Sequence, residues 1–245
     1  MGAHLRHGDV VGEQLRCALH HYRFERGGTA LKAGCPPAQV WAVAERFGLV
    51  FVNVGDEEPD NPPCPDGHEQ FAWTTCAPVT VDADWRNMII NGFDMPHLAA
   101  VHHRELVDPP AIQRSATRME IRYTSRVTGT GASDRAMKWI SGDRIRVRQR
   151  CYGTVSTVET DLGRTQTAAV VAVLPVRDKV RAFGAFGVRP GPLTGLRLAI
   201  TRWLFTAFLE RDFDVVRDMA MRTDVEDPGV REIATFLASL PAVAP

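Results

Sequence analysis

An excess of positive or negative charge is missing from this chain: 29 lysines and arginines face 29 aspartates and glutamates, for a formal net charge of +0 at pH 7. Nucleic acid and anionic membrane surfaces are bound through a basic footprint, so neither is expected as a partner. Cysteine is scarce. Cys17, Cys35, Cys64, Cys76 and Cys151 are odd in number and irregular in spacing, unlike a secreted disulfide framework, so a reducing cytoplasm is the expected compartment. Cys35, Cys64, Cys76 and Cys151 read as packing residues. The first residues lack an apolar stretch of signal-peptide type, and no secretory leader is expected. Long apolar runs are missing as well, because Arg197 and Arg202 interrupt the one between Leu193 and Leu209, which excludes a membrane span there. There is no internal repeat or low-complexity tract, and 245 residues accommodate a small domain followed by a larger one.

What the chain does have is Asn91-Gly-Phe-Asp94-Met-Pro-His97-Leu-Ala-Ala-Val-His102, one carboxylate and two imidazoles at D-x2-H-x4-H spacing. Asp94 and His97 are helical neighbours at i,i+3, whereas His97 and His102 are five apart and splay on a regular helix. The rings converge only if the helix widens, bends or ends between them, which Pro96 and the bulky stretch from Leu98 to Val101 favour. The spacing is not that of H-E-x-x-H zinc proteases, since nothing between the histidines can act as a base. Two histidines and one distant carboxylate leave open positions on a metal, the facial arrangement of non-haem Fe(II) sites. The competing reading is a pair of unrelated histidines, one buried and hydrogen-bonded, the other exposed.

Nearer the N-terminus stand Met1-Gly-Ala-His-Leu5, Cys17-Ala-Leu-His20-His-Tyr-Arg-Phe24, Gly27-Gly28 and Cys35-Pro-Pro. Here the chain resembles the oxygenase component of Rieske-type non-haem iron oxygenases, whose cluster domain carries C-x-H, Gly-Ala-x-Leu, a short strand and C-x2-H. The resemblance makes Cys17 and His20 one half of a [2Fe-2S] site, in which two thiolates hold one iron and two imidazoles the other. The C-x-H half would end immediately before Met1. The expectation is therefore a shortened N-terminus, from a mis-called start or a truncated gene, and a chain that as written leaves the cluster incompletely ligated and inactive. His4 and His7 are not thiolates and are not expected to substitute. His21-Tyr22 stands where the family usually has Gly-Trp.

The remaining pattern is that of an α+β chain, and the resemblance implies a partial Rieske-type β domain over 1–60, then a helix-grip catalytic domain over 61–245. Val40 to Ala44 and Leu49 to Val54 read as a hairpin, Asp56 to Gly67 as a linker, and Phe71 to Val81 as strand, followed by Asp84-Trp85-Arg-Asn at the entry to the metal-binding helix. Ala116 to Val127, Arg144 to Cys151, Thr154 to Thr160, Thr165 to Leu174 and Val180 to Val188 read as an antiparallel meander. One face of that sheet needs apolar cover, supplied by a long amphipathic helix from Leu193 to Met221.

By the same resemblance Asp212 completes a triad with His97 and His102, with Asp214 as runner-up. Asp94, assisted by Asn91, does not touch the metal but bridges to a cluster histidine of a neighbouring subunit in a homotrimer, or fixes the tautomer of a ligating imidazole. The implied chemistry is oxidation of a bulky apolar ring substrate by O2 with electrons from a separate ferredoxin or reductase. Asn91, Asp94, Met95 and His97 resemble most the ketosteroid 9α-hydroxylase and sterol-desaturase branch, with Met137, Trp139, Phe183 and Phe186 as pocket candidates. Two other classes compete: an apolar-ligand-binding helix-grip protein without redox activity, and a zinc hydrolase at the same triad.

Overall fold

The structure, a computed structural model, describes residues 4–54, 62–217, 219 and 227–240. The chain divides into two compact units, Met1–Val43 with Val52–Glu58, and Ala44–Phe51 with Pro59–Pro245. The domain break expected near residue 60, and the linker as far as residue 61, lie outside the described residues.

In the first unit β1 (Asp9–Val11), β2 (Gln14–Arg16) and β3 (Arg23–Phe24) form an antiparallel sheet. Asp9 lies opposite Arg16 and accepts a hydrogen bond from its Nε at 2.9 Å. The Cys17–Tyr22 segment is the tight link between β2 and β3, with Cys17 N–H donating to Tyr22 O at 2.8 Å and His21 N–H to Cys17 O at 3.0 Å. His21 has φ 57°, a backbone region natural to glycine and tolerated by histidine. β4 (Ala42–Arg46) and β5 (Leu49–Asn53) make the expected hairpin, starting two residues later than expected. Its two-residue loop, Phe47 and Gly48 at φ 57° and 74°, is of the mirror-image type that suits strand twist.

The second unit is built on a nine-stranded antiparallel sheet. Its strands are β6 (Ala72–Thr75), β7 (Val79–Val81), β8 (Arg104–Leu106), β9 (Ala111–Arg114), β10 (Met119–Val127), β11 (Ile145–Cys151), β12 (Val155–Asp161), β13 (Gln166–Val176) and β14 (Lys179–Val188). The order is β6-β14-β13-β12-β11-β10-β8, with β7 on β14 and β9 on β10. Three expectations are corrected in detail. The strand read from Phe71 to Val81 is broken between Thr75 and Val79, where Pro78 lacks an N–H for the ladder. The strand read from Ala116 begins at Met119, because Ser115 N–H closes a turn on Arg118 O at 2.8 Å. The long helix ends at Val216 rather than Met221, with Arg217 already extended.

The α-helices described in this unit are α1 (Trp85–Asn91), α2 (Met95–Ala100), α3 (Ala132–Ser141), α4 (Thr194–Val216) and α5 (Pro228–Ser239). The sequence reading contained neither α3 nor α5. Yet α5 carries plain start signals: Asp227 accepts from Val230 N–H at 2.9 Å and Pro228 occupies the first turn. Of its buried residues, Ile233, Phe236 and Leu237 join Phe93, Met119, Ile121, Val180, Phe213 and Val216 in the main core between sheet and helices. α4 lies across the sheet, with Phe205 stacked on Phe186 of β14 at 4.9 Å between ring centroids. A long antiparallel meander held by a C-terminal helix is the helix-grip arrangement the pattern implied.

Candidate metal centre

α1 is capped by Asp84, whose carboxylate accepts from Arg86 N–H at 2.7 Å, and it stops at Gly92. A Cβ on Gly92 would come within 2.6 Å of Gln149 Nε2, so glycine lets the link to α2 pass close over β11. Asp94 then caps α2, accepting from His97 N–H at 3.2 Å, with Pro96 in the first turn. α2 is short. Val101 N–H still reaches His97 O at 2.9 Å, but the helix has ended, and His103 adopts φ 53° before β8 begins at Arg104. Of the three ways to bring H-x4-H rings together, the chain uses helix termination.

The two imidazoles meet in the core. His97 Nε2 lies 3.1 Å from His102 Nε2, and Asp212 Oδ1, arriving from α4, lies 2.8 Å from the first and 2.7 Å from the second. All three residues are buried, at 8%, 1% and 8% exposure. Asn91 Nδ2 donates to the same Asp212 oxygen at 2.7 Å. The His102 ring is stacked on Phe208 at 3.5 Å and 7° between planes. Asp214 is exposed, since residues two apart on a helix cannot share a face, which separates it from Asp212.

Burial pushes the His102 pKa down, outweighing the hydrogen bond and charge of Asp212 that favour the cation. For Asp212 burial acts to raise the pKa, but hydrogen bonds from His102 and His97 leave its carboxyl below the ordinary value. Neutral rings and an ionised carboxylate are the forms a metal takes as ligands. The donor set fits an ion on steric grounds too. Two ring nitrogens 3.1 Å apart cannot both aim a proton at one oxygen without crowding, whereas three lone pairs converging on a cation relieve each other. The separations, 2.7 to 3.1 Å, bring all three donor atoms within reach of one ion.

The other residues singled out in the sequence are placed as follows. Asp94 directs its carboxylate to the start of α2, onto the His97 backbone N–H rather than an imidazole. His102 Nδ1 is buried without a hydrogen-bond partner among the described residues. Cys17 is buried, and His20 is exposed with its ring 5.6 Å from that of Tyr22. Among the described residues the triad is the one group of three or more metal-type donors, so no third donor joins Cys17 and His20. Trp139 does not line a pocket: it is 76% exposed on the outer face of α3. Met137 packs instead against Val127, Ile145 and Leu162, while Phe186 is core and Phe183 half-buried. An open cavity of about 720 Å³ lies beside Met95, Pro96, Ala99, Leu106 and Ile112, and the triad does not line it. Phe208 escaped the sequence reading although it precedes Asp212 by four residues, the spacing of a shared helix face. Arg104 and Asp134, which brace the His102 turn, left no local signal.

Fold and site together define a helix-grip chain with a buried group of two histidines and one carboxylate. No protein-family model matches the chain. The oxygenase subunit of tert-butanol monooxygenase / tert-amyl alcohol desaturase from Aquincola tertiaricarbonis is 26% identical over 210 residues, 76% of this chain and 43% of that protein. The chain thus spans less than half the length of that relative. Among solved structures, dicamba monooxygenase bound to dicamba superposes with a TM-score of 0.66 at 13% identity, over 96% of this chain and 81% of that one. NdmB of Pseudomonas putida CBB5 gives 0.68 at 15% identity, over 97% and 74%. NdmA of the same strain, with caffeine, gives 0.65 at 15% identity, over 95% and 72%. At these identities the solved structures establish the fold.

Proposed function

We propose that the chain is the catalytic part of a Rieske-type non-haem iron oxygenase that oxidises an apolar substrate with O2. One observation carries this reading: the buried His97, His102 and Asp212, separated by up to 115 residues in sequence, meet with their donor atoms within 3.1 Å of one another. The curated relative and one of the superposed structures, dicamba monooxygenase, are monooxygenases by name, which supports it. Fe(II), when bound, supplies the reductive activation of O2. The chain's own residues position it. His97 and His102 offer Nε2 and Asp212 offers Oδ1, while Asn91 holds that oxygen in place and Phe208 holds the His102 ring flat. Burial of all three ligands keeps bulk water off the site.

Residues 1–60 as a partial Rieske domain and 61–245 as the catalytic domain complete the reading. Cys17 and His20 provide one thiolate and one imidazole, half of what a [2Fe-2S] cluster takes. That set does not fit a whole cluster. A separate ferredoxin or reductase, assembly as a trimer, and a role for Asp94 between subunits belong to the same proposal. So does a bulky ring substrate, in the manner of the ketosteroid 9α-hydroxylase branch.

The test is metal content. After anaerobic loading with Fe(II) and desalting, the chain is expected to retain about one iron per molecule, and a His97→Ala, His102→Ala double variant almost none, with the circular dichroism unchanged. Stoichiometric iron in the double variant overturns the site. With an electron source, product formation that proceeds equally without O2 overturns the oxygenase.

A further inference from the structure

The turn that brings His102 back toward His97 is held by a buried ion pair remote from the reacting atoms. Arg104 Nη1 donates to the carbonyl of His102 at 3.1 Å and to that of His103 at 3.3 Å, and pairs with Asp134 Oδ1 at 3.0 Å. The Arg104 side chain is 9% exposed and that of Asp134 2%. His103 sits at φ 53°, and its carbonyl also accepts from Thr128 N–H at 2.9 Å. Asp134 presses on the backbone beside this turn. A Cβ on Gly129 would fall 2.2 Å from its Oδ2 and 3.0 Å from the His103 Cβ, so only glycine fits there. The carboxylate is tied to α3 through Gly131 N–H at 3.3 Å. It also faces Arg211, the neighbour of Asp212 on α4, whose Nη2 lies 3.9 Å from Asp134 Oδ2 and 3.5 Å from Ser133 Oγ.

We propose that Arg104 and Asp134 are positioning residues for the metal centre: the pair fixes the helix-ending turn that turns an H-x4-H spacing into a chelate, and through Arg211 ties that turn to the helix bearing Asp212. This rests on the triad being the metal site. The physical reason is geometric. One nitrogen, Arg104 Nη1, lies among two successive carbonyls and a carboxylate, and the planar guanidinium fixes that point; a lysine Nζ ends one bond short of it on a freely rotating stem and does not reach the same three acceptors. A pair that merely filled space would leave metal affinity untouched once the fold was secured.

The experiment compares wild type, Arg104→Lys and the charge-free double variant Arg104→Met, Asp134→Leu. The readouts are Co(II) and Fe(II) affinity, the ligand-field spectrum of the Co(II) form, and the melting temperature without metal. Replacing a buried pair by apolar residues of similar size is compatible with a stable fold, so the double variant separates positioning from folding. The expected result is metal affinity lowered about tenfold to a hundredfold in both variants with an altered Co(II) spectrum, and a metal-free melting temperature in Arg104→Lys close to wild type. Wild-type affinity and spectrum in both variants overturn the positioning role while the triad stands. Failure of wild type itself to bind either metal overturns the triad, and the positioning role with it. If the double variant does not fold, Arg104→Lys decides alone: wild-type affinity there overturns the proposal.

Discussion

Asp212 Oδ1 receives three contacts, from His97, His102 and Asn91, at 2.7 to 2.8 Å. An oxygen so placed orients its carboxylate through the Asn91 amide, and losing that amide frees the group to rotate. Asn91→Ala is therefore expected to weaken Fe(II) binding about tenfold to a hundredfold without unfolding the chain, as measured by competition with a chelator. Asp214 provides the internal control. It is exposed two residues away, so Asp214→Asn should keep full iron content where Asp212→Asn loses it. Retained iron in Asp212→Asn would remove the carboxylate from the centre.

The active segment is built by ending elements early. α1 stops at Gly92, α2 lasts six residues, and His103 takes a left-handed conformation before β8. That conformation costs a β-branched residue about 1–2 kcal/mol, so His103→Val should lower urea stability by that amount while His103→Gly does not. α5 contributes differently, by closing the core: Ile233 and Phe236 are both 0% exposed. Ile233→Ala is expected to cost about 2–5 kcal/mol in urea unfolding, whereas the same change at exposed Ile200 of α4 should cost far less. Equal losses at the two sites would contradict this packing.

For the molecule as a whole, the face of the sheet away from α4 carries a connected charge network. Glu120, 3% exposed, accepts from Arg150 Nε at 3.0 Å and pairs with Arg148 at 3.0 Å, while Arg150 also reaches Glu159 at 3.0 Å and Asp66 pairs with both arginines. Burial acts to raise the Glu120 pKa, but the Arg150 hydrogen bond and the Arg148 charge leave it below 4.5. The Arg150 hydrogen bond likewise holds Asp66 below 3.8. A carboxyl depressed in the folded state contributes stability above its unfolded pKa, and this is lost as pH falls through the folded value. The urea midpoint should thus drop between pH 7 and about pH 3, and the drop should shrink in Glu120→Gln. An identical acid limb in that variant would show that Glu120 carries none of it.

The fold was legible where the pattern speaks: β10 to β14 alternate or run β-branched between turns, and α4 is long enough to announce itself. The site was legible in His97, His102 and Asp212, partly through resemblance. α3 was missed because a short helix beside Gly-rich turns leaves a weak pattern, α5 was missed although Asp227 and Pro228 mark its start, and Trp139 is exposed where a pocket position was expected, because an aromatic does not say which face of its helix is covered. The amino-acid order by itself determined the alternation of strands, the capped starts of α1, α2 and α5, and the donor types available for a metal. Tertiary structure alone decided that the helix ends between the histidines, that Asp212 rather than Asp214 turns inward, and that Arg104 finds Asp134. The physical reason is that caps and periodicity act over a few residues, whereas the convergence of groups 30 to 115 residues apart exists only once the sheet and α4 have packed.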